Sequence, residues 1–174
     1  MEKRYVPFVL LLIFLATLGI RLFFAYQTPY FVSDRAYFHL RQVQHIQETG
    51  FPLFLDPLHA QGIVRIFLPL YDYILAVFTL FLPLELVAKI VPNLFASLLI
   101  FIVYLLVYEL TRNDKLSILC AAVSGIFPLY LRETLLSVSV SSLTIPLFFL
   151  LIYFFFRRSL LGSIVVFCFL LLLS

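Results

Sequence analysis

Charged residues are scarce in this chain. Only 12% of its 174 residues are Asp, Glu, Lys or Arg, whereas 64% are hydrophobic, and the mean hydropathy is +1.12. A soluble domain of this length cannot hide so much apolar surface from water. The composition therefore excludes a soluble domain and predicts an integral membrane protein, with membrane lipids as its surroundings.

Cysteine and clustered basic residues are also lacking. The two cysteines, Cys120 and Cys168, both sit inside apolar runs, so we interpret them as small buried side chains rather than as a disulfide or a metal pair. The net charge of +3 comes from basic residues scattered at the ends of apolar segments, without a basic patch that interleaves aromatic residues. Nucleic acid is therefore not an expected partner.

The first apolar run could be mistaken for a signal peptide, because it follows the charged start Met1-Glu2-Lys3-Arg4. It is longer than a typical signal core, and no small-x-small cleavage site follows it. We interpret residues 6–26 as a retained transmembrane helix, since this length spans about 30 Å. Arg21, near its far end, is expected to extend its charge to the membrane interface.

Further apolar runs predict an all-α, multi-pass transmembrane helical bundle of about five spans. The sequence stops at Ser174 inside the fifth run, so we expect an N-terminal piece of a longer protein. The predicted spans cover residues 6–26, 86–108, 116–131 and 143–156, together with a run that begins at residue 160.

Residues 66–82 could cross the membrane or lie at its surface, because they are apolar but contain Pro69 and Asp72. If they do not cross, the basic residues Lys3, Arg4, Arg112, Lys115, Arg157 and Arg158 share one side of the membrane. That layout obeys the positive-inside tendency, so we favour a juxtamembrane helix at 66–82. It predicts a cell-membrane protein with a cytoplasmic N-terminus and two outer loops, a first loop at residues 27–65 and a second loop at 132–142.

The first loop is the long polar segment of the chain and contains all three histidines. Ser33 or Asp34 is expected to cap a helix that runs to about Glu48 and stops at Gly50. One stripe of this helix is apolar and another is mostly charged, which predicts an amphipathic helix at the membrane surface. The apolar stripe consists of Ala36, Leu40, Val43 and Ile46.

Asp34 is the first candidate for chemistry. An acid at a membrane surface can bind a divalent cation or accept a proton, but an Asp in the first helical turn is also favoured by the helix dipole alone. Arg41, seven residues later on the same face, suits a phosphate or diphosphate, and equally an anchor to lipid headgroups. His39 and His45 are six residues apart and do not form a zinc pair on one helix face.

Two further polar features have local explanations, whereas a third, Asp72, is harder to explain. Asp56 is most simply part of an Asp-Pro turn, and Arg132 and Glu133 can form a local pair at a helix end. Asp72 lies on an apolar helix and needs a partner or water; Arg65, seven residues earlier, is one candidate. No ionisable residue is expected at the bilayer midplane, which favours chemistry at the membrane surface over transport.

The order of these segments resembles the GT-C superfamily of membrane glycosyltransferases, and most of all the N-terminal part of archaeal oligosaccharyltransferase catalytic subunits. The similarity lies in Asp34-x-x-Tyr37-Phe38-His39-x-Arg41, Gly50-Phe51-Pro52, Asp56-Pro57, Leu68-Pro69-Leu70-Tyr71 and Phe127-Pro128-Leu129-Tyr130-Leu131-Arg132-x-Thr134. The resemblance implies that residues 1–174 are the N-terminal transmembrane region of a GT-C-like glycosyltransferase, which would be inactive without the rest of the enzyme.

The resemblance also implies a mechanism. A sugar or oligosaccharide on a polyprenyl phosphate is transferred at the outer membrane face to an acceptor, protein Asn in the closest group, with Mn²⁺ or Mg²⁺. Asp34 would be the catalytic first-loop acid, which coordinates the metal or activates the acceptor. Glu133 is the acid nearest to the family's second acidic pair, so it becomes the second metal ligand. We assign substrate binding to His39, Arg41, Asp56 and Arg132.

The second loop departs from the family's pattern, because serines stand where the family has acids: Ser137, Ser139, Ser141 and Ser142. Hydroxyl groups are poor substitutes for carboxylates around a divalent cation. Two alternatives therefore stay open. The parent protein could transfer a single sugar from a polyprenyl monophosphate to protein or lipid, or it could be a non-catalytic membrane subunit for binding or transport.

Overall fold

The computed structural model describes residues 5–54 and 69–173. Within them the chain is all-helical, as predicted, and contains no strand. The helices of the described residues are α1 Val6–Tyr26, α2 Asp34–Thr49, α3 Leu70–Phe78, α4 Leu84–Ser97, α5 Leu99–Thr111, α6 Asp114–Gly125, α7 Pro128–Thr134, α8 Ser141–Phe156 and α9 Leu160–Leu173.

The helix of the first loop, α2, has the ends that its sequence predicts. The Ser33 side chain accepts a hydrogen bond from the backbone N–H of Ala36 at 3.3 Å, which caps the first turn. Gly50 follows the last turn with a φ of 79°, a left-handed conformation that glycine adopts without strain. The helix therefore starts at Asp34 for local reasons of chain chemistry.

The apolar stripe of α2 packs into a core shared with α3, α4, α8 and α9. Ala36 and Val43 are fully buried there, together with Tyr71 and Leu75 of α3. This contact holds the first loop against the helical bundle, so α2 is more than a helix lying on a lipid surface.

Helix α3 has nine residues and is about 14 Å long, which is less than half the thickness of a hydrocarbon core.

Two helical segments of the described residues are long and apolar enough to cross a membrane, α1 and the continuous Leu84–Thr111 that contains α4 and α5. A third crossing results only if α6 and α7 are one span, and these two helices bend by 44° at their junction. Helices α8 and α9, with 16 and 14 residues, are shorter than about 20 residues, the usual length of a span. The described residues thus support two or three spans, and the predicted five are not confirmed.

Arg21 does not extend to the membrane interface, contrary to the sequence-based expectation. It is fully buried and lies on the face of α1 that packs against the other helices, four residues after the buried Thr17. Polar partners on α4 and α7 keep the guanidinium inside the bundle.

A second expectation, that both cysteines are buried, also fails. Cys120 and Cys168 are both free thiols, but Cys168 is exposed on α9 rather than buried.

Candidate functional site

The two polar loops meet in the structure. The hydroxyl groups of Ser33 and Ser137 are hydrogen-bonded at 3.0 Å, and the backbone N–H of Val32 donates to the carbonyl oxygen of Leu136 at 3.1 Å. These bonds join the start of α2 to the linker that follows α7, about a hundred residues later in the chain. The contact brings Ser33, the residue before the candidate Asp34, close to the segment that contains Arg132 and Glu133.

A cavity of about 370 Å³ lies between the two loops, and we call it the inter-loop cavity. Both residues of the predicted Arg132–Glu133 pair line it, as does Ser33. Asp34 is the residue directly after Ser33, and its side chain is exposed at the first position of α2. Glu133 therefore lines this cavity, and Asp34 is the chain neighbour of a lining residue, Ser33. The remaining lining residues are Val32, Leu135, Leu136 and Ser137.

A buried polar network holds the end of α7 in place. One amino group of Arg21 (Nη1) donates to Thr134 Oγ1 at 2.9 Å and to Asn93 Oδ1 at 3.4 Å. The Asn93 amide donates in turn to the carbonyl oxygen of Leu135 at 3.3 Å. Arg21 therefore connects α1 to α4 and to the residue that follows Glu133.

Burying the Arg21 guanidinium is costly. Its Nε and Nη2 atoms have no hydrogen-bond partner among the described residues, although the group lies over the ring of Tyr130 at 5.1 Å. Cation–π contact recovers part of the lost hydration, but an incompletely paired buried charge still costs several kcal/mol, about the effective penalty for one buried ion. Such a group is kept where it serves a purpose, and here it determines the position of the residues beside Glu133.

A second buried pair lies between α2 and α3. His39 Nδ1 and Asp72 Oδ1 are 2.7 Å apart, and the side chain of Asp72 is only 1% exposed. Asp72 thus has the partner that the sequence analysis required, but it is His39; the suggested partner Arg65 lies outside the described residues. No local spacing links two residues 33 positions apart, so the sequence indicated only that Asp72 needed a partner.

Tyr71 connects this pair to the second loop. Its ring packs edge-on against the His39 ring, with centroids 5.4 Å apart, and its hydroxyl is hydrogen-bonded to Ser142 Oγ at 3.3 Å. Burial raises the pKa of the Tyr71 phenol well above its usual range, so this hydroxyl stays protonated at neutral pH. Tyr71 was not among the candidates from the sequence.

The other predicted site residues are placed as follows. Arg41 is partly buried on α2, seven residues or about 10 Å along the helix from Asp34. Arg132 and Glu133 are exposed at the end of α7. Asp56 lies outside the described residues.

The part of the chain that the structure describes contains no cluster of three His, Cys, Asp or Glu residues that could hold a metal ion. Asp34 and Glu133 nevertheless offer carboxylate oxygens of the kind that Mg²⁺ and Mn²⁺ prefer. Mg²⁺ commonly keeps several waters and is bound by one or two carboxylates together with substrate phosphates. Asp34 and Glu133 are of the residue type that such a site uses.

A larger cavity of about 610 Å³ lies among α5, α6, α7 and α8, and we call it the apolar cavity. Its walls are almost entirely hydrophobic and include Leu99, Val103, Leu119, Val123, Ile145 and Phe149. Glu133 lines the apolar cavity as well as the inter-loop cavity. Glu133 is thus the lining residue that the two cavities share.

Comparison with known proteins supports the predicted family. The chain is 32% identical over 112 residues to the dolichyl-phosphooligosaccharide-protein glycotransferase 2 of Archaeoglobus fulgidus. The similar region covers 62% of this chain but only 19% of that relative's length. No protein-family model and no solved structure matches the chain. The similarity supports glycosyltransferase activity in general.

Proposed function

We propose that this chain is the N-terminal membrane region of a glycosyltransferase that works at the outer membrane face. It transfers a sugar or oligosaccharide from a polyprenyl-phosphate-linked donor to a protein Asn. The similarity to a dolichyl-phosphooligosaccharide-protein glycotransferase supports this reaction class. The observation that carries the proposal is the pair of hydrogen bonds between the first and second loops, since they bring Ser33, the residue before Asp34, to the cavity that Glu133 lines.

The proposed roles follow from the chemistry of the side chains. Asp34 and Glu133 would hold the divalent cation, Mn²⁺ or Mg²⁺, with their carboxylate oxygens. The cation, when bound, neutralises the charge that develops on the departing phosphate. Asp34 also accepts a hydrogen bond from the acceptor nitrogen and orients it for attack on the sugar. The reaction needs both loops in fixed positions, because misplacing a reacting group by 1 Å can cost a factor of about 100 in rate.

Basic side chains beside the acids bind the donor's phosphate. Arg132 lines the inter-loop cavity next to Glu133, and Arg41 lies on the same helix as Asp34. Arginine suits this task because its planar guanidinium can donate two parallel hydrogen bonds to phosphate oxygens.

The apolar cavity provides a place for the donor's isoprenoid chain. Its volume of about 610 Å³ is in the range of ordinary ligand pockets, and its hydrophobic walls match a hydrocarbon chain. Because Glu133 lines both cavities, a lipid in the apolar cavity can place its phosphate beside the acids in the inter-loop cavity. An amphiphilic donor fits this pairing of one apolar and one polar cavity.

The proposal is tested by removing each acid in the full-length protein and measuring transfer from a labelled lipid-linked sugar in membranes. We expect Asp34→Asn and Glu133→Gln each to lower the transfer rate by about 100-fold or more, the size of a lost electrostatic contact to a transition state. The matched control is Glu48→Gln, which removes an exposed acid from the other end of α2. Activity equal to wild type in Asp34→Asn contradicts the proposal.

A double variant then asks whether the two acids serve one cation. Residues that act as a unit have non-additive effects, so Asp34→Asn with Glu133→Gln should lose little more than the worse single variant. Rate losses that multiply would place the two acids in separate steps.

The serines of the second loop favour a different candidate, a non-catalytic binding subunit. A protein that binds the lipid-linked sugar but does not transfer it, with or without Mn²⁺, would support that role. A third outcome, transfer of one sugar from a polyprenyl monophosphate, identifies the mono-sugar branch of the same superfamily.

A further inference from the structure

A buried acid beside an imidazole lies outside the inter-loop cavity. Asp72 is the third residue of α3, where its charge is favoured by the helix dipole, and 1% of its side chain is exposed. A carboxylate so buried needs a hydrogen-bonding partner, and His39 Nδ1 provides it at 2.7 Å. The pair is thus a built feature rather than a chance contact of surface residues.

The hydrogen bond decides which ring nitrogen of His39 is available. A carboxylate in its ionised form only accepts hydrogen bonds, so beside that form Nδ1 carries the proton and donates it to Asp72. Any further partner of the ring must then bind Nε2. A carboxylate that fixes a histidine in this way is a recurring means of setting its tautomer and orientation.

Aromatic neighbours keep the ring from turning. The Tyr71 and Phe38 rings pack edge-on against the His39 ring, with centroids 5.4 Å and 5.6 Å away. Tyr71 is itself attached to Ser142 at the end of the second loop. His39 is therefore held by α3 and, through Tyr71, by the same loop that contains Glu133.

We propose that Asp72 is a positioning residue, which holds His39 so that Nε2 binds a hydroxyl group of the donor's sugar. This inference rests on the proposed function. A sugar hydroxyl fits the geometry because it can donate to Nε2 of a neutral imidazole and accept from Nε2–H of a charged one. The pair supplies specificity, since a site built to bind a hydroxyl group discriminates strongly against ligands that lack it.

The tautomer is the first test, and it does not depend on transfer. Full-length protein in detergent, labelled with ¹⁵N-histidine, is examined at pH 8, where an unperturbed imidazole is neutral, and the His39 signal is identified as the one that His39→Gln removes. We expect the Nδ1–H form for His39, and a mixture of both forms in Asp72→Asn, because an amide can donate as well as accept. A predominant Nε2–H form in the protein with Asp72 intact overturns the inference.

Kinetics provide the second test. The donor is lipid-linked oligosaccharide extracted from membranes of the expressing cells. Asp72→Asn and His39→Gln should each raise the KM for this donor about tenfold, while kcat changes less. Glu85→Gln is the control, since it removes an exposed acid from the first turn of α4 and should leave KM unchanged. Unchanged KM in both test variants also overturns the inference. If the wild type shows no transfer, the proposed function fails, and the tautomer measurement still decides whether Asp72 sets the state of His39.

Discussion

Arg21 joins three helices through one guanidinium group, and this is the residue-scale basis of the site. Its partners, Asn93 and Thr134, are 72 and 113 positions away in sequence. Because Thr134 follows Glu133 directly, the network transmits the position of α1 to the second loop. The function of Arg21 is therefore structural support of the proposed metal ligand, although no atom of Arg21 lines the inter-loop cavity.

The Arg21–Thr134 contact can be removed with little change of shape. Thr134→Val leaves Arg21 with one fewer acceptor, and a buried donor deprived of a partner costs about 1–3 kcal/mol. We expect the free energy of unfolding in detergent to fall by that amount and transfer activity to fall with it. Thr144→Val on α8 is the control, because Thr144 is only partly buried. Equal stability of the two variants would show that the contact contributes nothing.

Residue-scale contacts of this kind were only partly predictable. The sequence identified Asp72 as an acid that needs a partner and Asp34 as the first residue of a capped helix, because both statements depend on neighbours within a few positions. It assigned Arg21 to the interface, since a lone arginine near a helix end usually reaches water. The partners of Arg21 and Asp72 lie in segments that are far away in sequence. A single sequence does not show which distant segments pack together.

At the scale of elements, local chemistry determines where helices end. The sequence offered Ser33 or Asp34 as the cap of α2 and Gly50 as its end, and in the structure Ser33 is the cap and Gly50 follows the last turn. The predicted helix over residues 116–131 is instead broken into α6 and α7, which bend by 44°. Pro128 occupies the first position of α7, where its missing N–H is tolerated, but it cannot continue the hydrogen bonding of α6.

Close packing of α6 against α1 depends on Gly125. A Cβ atom added there would lie 2.9 Å from Thr17 Oγ1 and 3.0 Å from Ile100 Cδ1. We expect Gly125→Ala to push these helices apart and to lower the free energy of unfolding by about 1–3 kcal/mol, the usual cost of overpacking.

Gly19→Ala is a matched control for this substitution. Gly19 lies on the opposing helix α1, and a Cβ atom there meets nothing within 4 Å. Alanine favours helix, so this variant should be neutral or slightly more stable. A Gly125→Ala protein as stable as Gly19→Ala would contradict the close approach of α1 and α6.

At the scale of the whole molecule, the account depends on two loops that are distant in sequence and adjacent in space. The bundle brings the cap of α2 to the linker after α7, and the hydroxyl groups of Ser33 and Ser137 meet at 3.0 Å. Asp34 directly follows Ser33, and Arg132, Glu133 and Ser137 line one cavity beside this contact. If the loops were apart, Asp34 and Glu133 could not act on one substrate.

Disulfide formation between the two loops is the most direct measurement of this claim. In membranes, Ser33→Cys with Ser137→Cys, in a background of Cys120→Ala and Cys168→Ala, should form an intramolecular disulfide on mild oxidation, detected by mass spectrometry of the linked peptides. The control pair Ser33→Cys with Ser163→Cys, which joins the first loop to α9, should not. Rapid and nearly complete oxidation of the first pair alone is the predicted result, and failure of that pair to oxidise would contradict the account.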